Sequence, residues 1–151
     1  MKKRVYRIHF IKSSFDLNED YDSFPEQDRN TISDMLPGGY FEYNNYEGNY
    51  TLYIILKPTE AERYSSILDD NLVAYSIRDI SEDLLNGLDL NTALIPFVGS
   101  LNINRYKSFK TKLEKWIMSS LDIDRILDRI NEVGMQNISK LEKKFLDDYH
   151  I

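Results

Sequence analysis

Hydrophobic residues recur at every second position over residues 4–11, where Tyr6, Ile8 and Phe10 alternate with Val5, Arg7 and His9. That period of two reads as a strand with one core face and one half-polar face. Residues 48–57 repeat the pattern, with Tyr50, Leu52, Ile54 and Leu56 on one side and Thr51, Tyr53 and Ile55 on the other. Both sides are apolar, as in a central strand covered above and below. Between them, residues 13–22 form a polar, acidic loop, and Ser23 with Glu26 reads as a capping box, with Pro25 in the first turn. The helix it opens runs to about Met35, facing inward with Phe24, Ile32, Met35 and Leu36. Pro37-Gly38-Gly39 breaks it. Residues 40–46 then read as an aromatic strand, joined by a tight turn at Glu47-Gly48 to the next strand in a hairpin.

A second capping box, Thr59 with Glu62 after Pro58, opens a helix with Ala61, Tyr64, Ile67 and Leu68 on one stripe, stopping near Asp70-Asn71. Residues 72–78 read as the fourth strand, with Val73, Tyr75 and Ile77 alternating against Ala74 and Ser76. The order is strand, helix, strand, strand, helix, strand. It predicts an α+β fold over residues 1–80: a ferredoxin-like βαββαβ antiparallel sheet with both helices on one face and its first and third strands in the middle.

Residues 81–151 read as a helical C-terminal extension packed on that domain. Ser81 caps a short turn through Leu84 and Leu85 that ends at Gly87, and Pro96 and Gly99 forbid one long helix over residues 88–103. From Asn104 the spacing of Tyr106, Phe109, Leu113, Trp116 and Ile117 predicts an amphipathic helix. Asp122 restarts the chain as a helix with Ile123, Ile126, Leu127, Ile130 and Val133 inward. Gly134 ends it, and Ser139 with Glu142 makes a third capping box, so residues 123–149 form a helical hairpin with Leu141, Phe145 and Leu146 facing in.

The 151 residues allow one core without staples. The absence of cysteine removes disulfide and thiolate chemistry and fits a cytoplasmic protein. The basic start of the chain, Lys2, Lys3, Arg4, Arg7 and Lys12, reads as a strand and not a signal peptide, and no apolar run reaches the roughly 18 residues of a membrane span. The net charge of −6 argues against a broad phosphate-binding surface.

Within the hairpin, Ile126-Leu127-Asp128-Arg129-Ile130, Gly134, Ile138-Ser139, Glu142-Lys143 and Phe145-Leu146 resemble the short helical tail that follows the membrane domain in many bacterial rhomboid-family intramembrane proteases. The resemblance covers residues 123–146. It implies a small docking element in a bacterial or phage protein and carries no catalytic residue with it.

No catalytic, metal or cofactor site is expected. His9 sits mid-strand and His150 near the end of the chain, neither beside a nucleophile or a second ligand. Asp16, Asn18, Asp20 and Asp22 copy the start of a calcium loop, but Tyr21 stands where glycine is obligatory and Gln27 where the bidentate glutamate belongs. Pro37-Gly38-Gly39 lacks the Lys-Ser/Thr of a phosphate loop. The aromatic excess, eleven Tyr to one Trp, therefore points to binding. The expected function is a non-enzymatic protein–protein interaction module, an adaptor, assembly component or acidic immunity-type inhibitor. Tyr40, Tyr43, Tyr46 and Tyr53 are its expected anchors, and another protein or a second copy its partner. Two alternatives are single-stranded RNA binding on a sheet face carrying Arg7, His9, Phe41, Tyr43, Thr51, Tyr53 and Ile55, and small-molecule regulation by an ACT-like paired sheet. The basic side of the helix after Asn104, with Arg105, Lys107, Lys110, Lys112 and Lys115, reads as a solvated face.

Overall fold

The computed structural model describes residues 2–11, 22–44, 50–87 and 103–149, with the main chain alone for residues 43–44 and 103–105. The acidic loop, the turn at Glu47-Gly48, the segment with Pro96 and Gly99, Tyr46 and His150 lie outside the described residues. The elements are β1 (Arg4–Phe10), α1 (Glu26–Met35), a 3-10 turn (Leu36–Gly38), β2 (Tyr40–Asn44), β3 (Tyr50–Leu56), α2 (Pro58–Asp70), β4 (Tyr75–Asp79), α3 (Ser81–Leu85), α4 (Ile103–Ser120), α5 (Ile123–Val133), a second 3-10 turn (Met135–Asn137) and α6 (Lys140–Asp148). The fold is α+β. Four antiparallel strands lie in the order β2-β3-β1-β4, followed by a helical C-terminal part.

The register follows from the alternation. Ile8 lies opposite Leu52 and Ile77, and Val5 opposite Ile55, so each face of the sheet presents one set of apolar side chains. Tyr6, Ile8, Phe10, Leu52, Ile54 and Leu56 meet Ile32 and Met35 of α1 and Ala61, Tyr64, Ile67 and Leu68 of α2 in one core. Val5, Phe41, Tyr53 and Ile55 meet Tyr106, Phe109, Leu113, Trp116 and Ile117 of α4 in a second core on the opposite face. Every residue of β3 is buried because both cores share it.

Several local expectations are corrected. Pro25 is itself the N-cap of α1, with ψ 146 and no side-chain cap bond, so Ser23 does not hold the capping position expected of it. Pro58 takes the first position of α2, where its fixed φ and missing N–H fit. The helix therefore starts before Thr59, and Glu60 Oε1 accepts the Lys57 N–H at 2.9 Å in place of the Thr59–Glu62 pair. Ser81 does not cap α3: Ile80 holds that position, and the buried Ser81 Oγ accepts the Val5 N–H at 2.8 Å. The fourth strand begins at Tyr75 because Leu72, with φ 59, is spent closing α2. Its N–H bonds Asp69 O and the Val73 N–H bonds Leu68 O, the paired bonds of a Schellman motif. On α5 only Ile126 is buried, and Leu127, expected inward, is 48% exposed. The capping box of Ser139 and Glu142 is formed in both directions.

Candidate interaction surface

The sheet face opposite α1 and α2 divides in two. Over β2 and β3, α4 covers Phe41, whose ring meets Tyr106 edge-on at 5.1 Å and stacks on Phe109 at 6.2 Å. The indole N–H of Trp116 donates to Lys3 O at 2.9 Å, and Lys112 Nζ donates to Pro37 O at 2.9 Å, fixing α4 at both sides of the sheet. Beyond Val5, which lies in the second core, Arg7 of β1 and Ser76 and Arg78 of β4 are exposed, and His9 is half-buried with Nδ1 3.3 Å from Thr51 Oγ1. Tyr53, expected as an interaction anchor, is thus buried under α4, and no base can stack on it or on Phe41 while the helix is in place.

Tyr40 is half-buried and borders a hollow of about 310 Å³ lined by Ser33, Leu36, Pro37, Gly39, Tyr40, Ser108, Phe109 and Lys112. Gly39 makes this approach possible. Its φ is 122, and a Cβ there would meet Lys112 Cδ at 3.2 Å and Ile55 Cδ1 at 3.3 Å. Tyr43 lies on β2 opposite Thr51. Of the tyrosines proposed as anchors, Tyr40 alone has a described side chain at a surface.

The α5–α6 hairpin also carries exposed apolar side chains. Asp122 Oδ1 accepts the Arg125 N–H at 2.8 Å, and Arg125 Nη2 reaches Glu82 Oε2 at 2.9 Å, tying α5 to α3. Between the helices, Arg129 Nε lies 3.3 Å from Glu142 Oε2, with side-chain exposures of 13% and 1%. Glu142 Oε1 also accepts the Ser139 N–H at 2.9 Å. Gly87, with φ 96, sits so close that a Cβ on it would lie 3.0 Å from Arg129 Nη2. This clamp was not anticipated. Its sequence signal is a capping-box glutamate in a hairpin whose other helix carries an arginine, and a capping box alone already accounts for that glutamate.

With the hairpin held by polar bonds, its apolar stripe is only partly used. Ile130, Leu141, Phe145 and Leu146 are partly buried against the second core, whereas Leu127, Met135 and Tyr149 are exposed, and Phe145 stacks on Tyr149 at 6.0 Å. The outer side of α5 carries exposed Asp124, Asp128 and Glu132.

The ionic groups form structural ties. Burial opposes the charge on Asp79, but the Ser81 hydroxyl and N–H and the Arg4 guanidinium outweigh it and hold the carboxyl below its ordinary pKa. Arg4 also reaches Glu82 at 3.6 Å, and Arg78 reaches Asp83 at 3.0 Å. Among the described residues, no group of three or more His, Asp or Glu is placed to hold a metal ion, and no helix is long and apolar enough to cross a membrane. No family model, curated protein or solved structure matches the chain.

Proposed function

We propose that this chain is a non-enzymatic protein-interaction module whose docking element is the α5–α6 hairpin. The observation that carries the reading is the hairpin's exposed apolar residues, Leu127 on α5, Met135 in the turn and Tyr149 just past α6, beside two helices tied together by the Arg129–Glu142 pair. Rigid apolar anchors lose little entropy on binding, and an aromatic among them contributes disproportionately to interface energy. The acidic outer side of α5 favours a partner with basic residues at the rim of its groove. Tyr40, beside its hollow, is a second candidate anchor. The resemblance of residues 123–146 to rhomboid-family tails fits a docking element.

We read the sheet domain as ferredoxin-like. Supporting this are the central positions of β1 and β3 and the packing of the helices that follow β1 and β3 on the same face. A stacking platform for single-stranded RNA finds no support in the buried rings of Phe41 and Tyr53.

The test uses the wild-type chain and the double variant Leu127→Asp/Tyr149→Asp as baits in the cells the chain comes from, with quantitative mass spectrometry. A protein captured by wild type and lost from a variant of unchanged melting temperature supports the reading. Identical captures for both baits overturn the hairpin as the docking element.

A further inference from the structure

β4 is an edge strand, and its alternation determines which main-chain groups face outward. Ile80 N–H bonds Val5 O and Ile11 N–H bonds Ala74 O, so the hydrogen-bonded pairs between β1 and β4 continue inward as Arg7 with Arg78 and His9 with Ser76. The N–H and C=O of Tyr75, Ile77 and Asp79 therefore point away from β1. No described strand lies beyond them.

Natural edges are usually blunted by a covering helix or loop or by inward-pointing charge. Here α2 leaves the edge uncovered: Ala61, Glu62, Ser65 and Ser66 of that helix line an open hollow of about 490 Å³ together with Asp79 and with Ile77, which is 36% exposed.

We propose that this edge pairs with the same edge of a second copy, β4 against β4 about a two-fold axis at Ile77. The proposal rests on the reading of the chain as a protein-binding module and names a second copy as one partner. Its register is self-complementary. With Ile77 opposite Ile77 of the second copy, Tyr75 falls opposite Asp79 and Ser76 opposite Arg78, so no like charges face each other directly. Sliding the axis to Asp79 would set two carboxylates face to face, and sliding it to Tyr75 would leave Asp79 and Arg78 without strand partners. Centred on Ile77, the pairing uses all five residues of β4. The outward groups of Tyr75, Ile77 and Asp79 then make about six main-chain hydrogen bonds. The two Ile77 side chains lie side by side on the α2 face and fill the hollow from both copies.

Because the chain has no cysteine, an introduced one reports its own position alone. The 151-residue chain is expected to sediment as a dimer, and a short bis-maleimide is expected to join two Ile77→Cys chains and not two Lys143→Cys chains. Ile77→Pro removes an outward N–H while leaving the ladder to β1 intact, and should weaken association about tenfold or more. Ile77→Lys replaces it if the proline variant loses its far-ultraviolet dichroism. A wild-type chain that stays monomeric, a dimer unaffected by both variants, or cross-linking at residue 143 in place of 77 would overturn the pairing. An extended peptide from another protein on a monomeric chain's edge would overturn the second copy as occupant. Hairpin-dependent capture of a partner by a monomeric chain would leave the proposed function standing and remove the β4 pairing alone.

Discussion

Leu72 combines two costs in one side chain. It holds the left-handed position that closes α2, where an L-residue loses roughly 1–2 kcal/mol, and at 93% exposure it recovers nothing by burial. Leu72→Gly is therefore expected to raise unfolding free energy by about 1 kcal/mol in urea titrations, and a loss of stability would contradict the assignment of the cap. Asp79 gives the opposite case, a polar residue with more partners than its exposure suggests. Its folded pKa is depressed, so its contribution is fully present above the unfolded value of about 3.9 and is lost as pH falls through the folded value. Asp79→Asn should lower the melting temperature at neutral pH, and the gap between the two proteins should close below about pH 4. A gap that persists unchanged into acid would show that the carboxylate's charge is irrelevant.

The hairpin is an element whose shape depends on one buried ion pair. Glu142 is almost fully buried, with Arg129 and the Ser139 N–H as partners. Removing the carboxylate alone leaves a guanidinium short of its counter-charge, so Glu142→Ala is expected to cost about 3–5 kcal/mol in denaturant unfolding. The double variant Arg129→Met/Glu142→Leu should recover most of that loss, since replacing both charges by apolar groups avoids desolvating either. No recovery would mean that the glutamate acts mainly through its cap. α4 depends on apolar contact: Trp116→Ala should cost about 3–5 kcal/mol, whereas Trp116→Phe, which keeps a smaller aromatic ring and loses the bond to Lys3, should cost about 1–3 kcal/mol.

In the whole molecule, two cores lie on opposite faces of one sheet and share β3, so neither can dissolve without exposing the other's floor. Trp116 is the single tryptophan and reports the C-terminal core, while far-ultraviolet dichroism reports all the helices. The two signals are expected to follow one transition in urea. A tryptophan transition that precedes the dichroism would show residues 103–149 detaching as a separate unit.

Alternation in residues 4–11 and 48–57 made β1 and β3 legible, as the period of 3.6 did for the buried stripe of α4, because both patterns are local and repeat several times. The capping boxes were misread at Ser23 and Thr59, where a neighbouring proline with its fixed φ determines the helix start and outweighs the spacing of the capping residues. Ser81 went to the Val5 N–H and Glu142 to Arg129, choices that require partners 76 and 13 residues away. The fate of Tyr53 was equally non-local. The apolar second face of β3 already called for a cover over Tyr53, and only the folded chain decided that α4 supplies it while Arg7, on the same side of the neighbouring strand, remains in water. Periodicity names the faces of a strand or helix, but burial belongs to the pair of surfaces that meet, and that pairing exists only once the chain is folded.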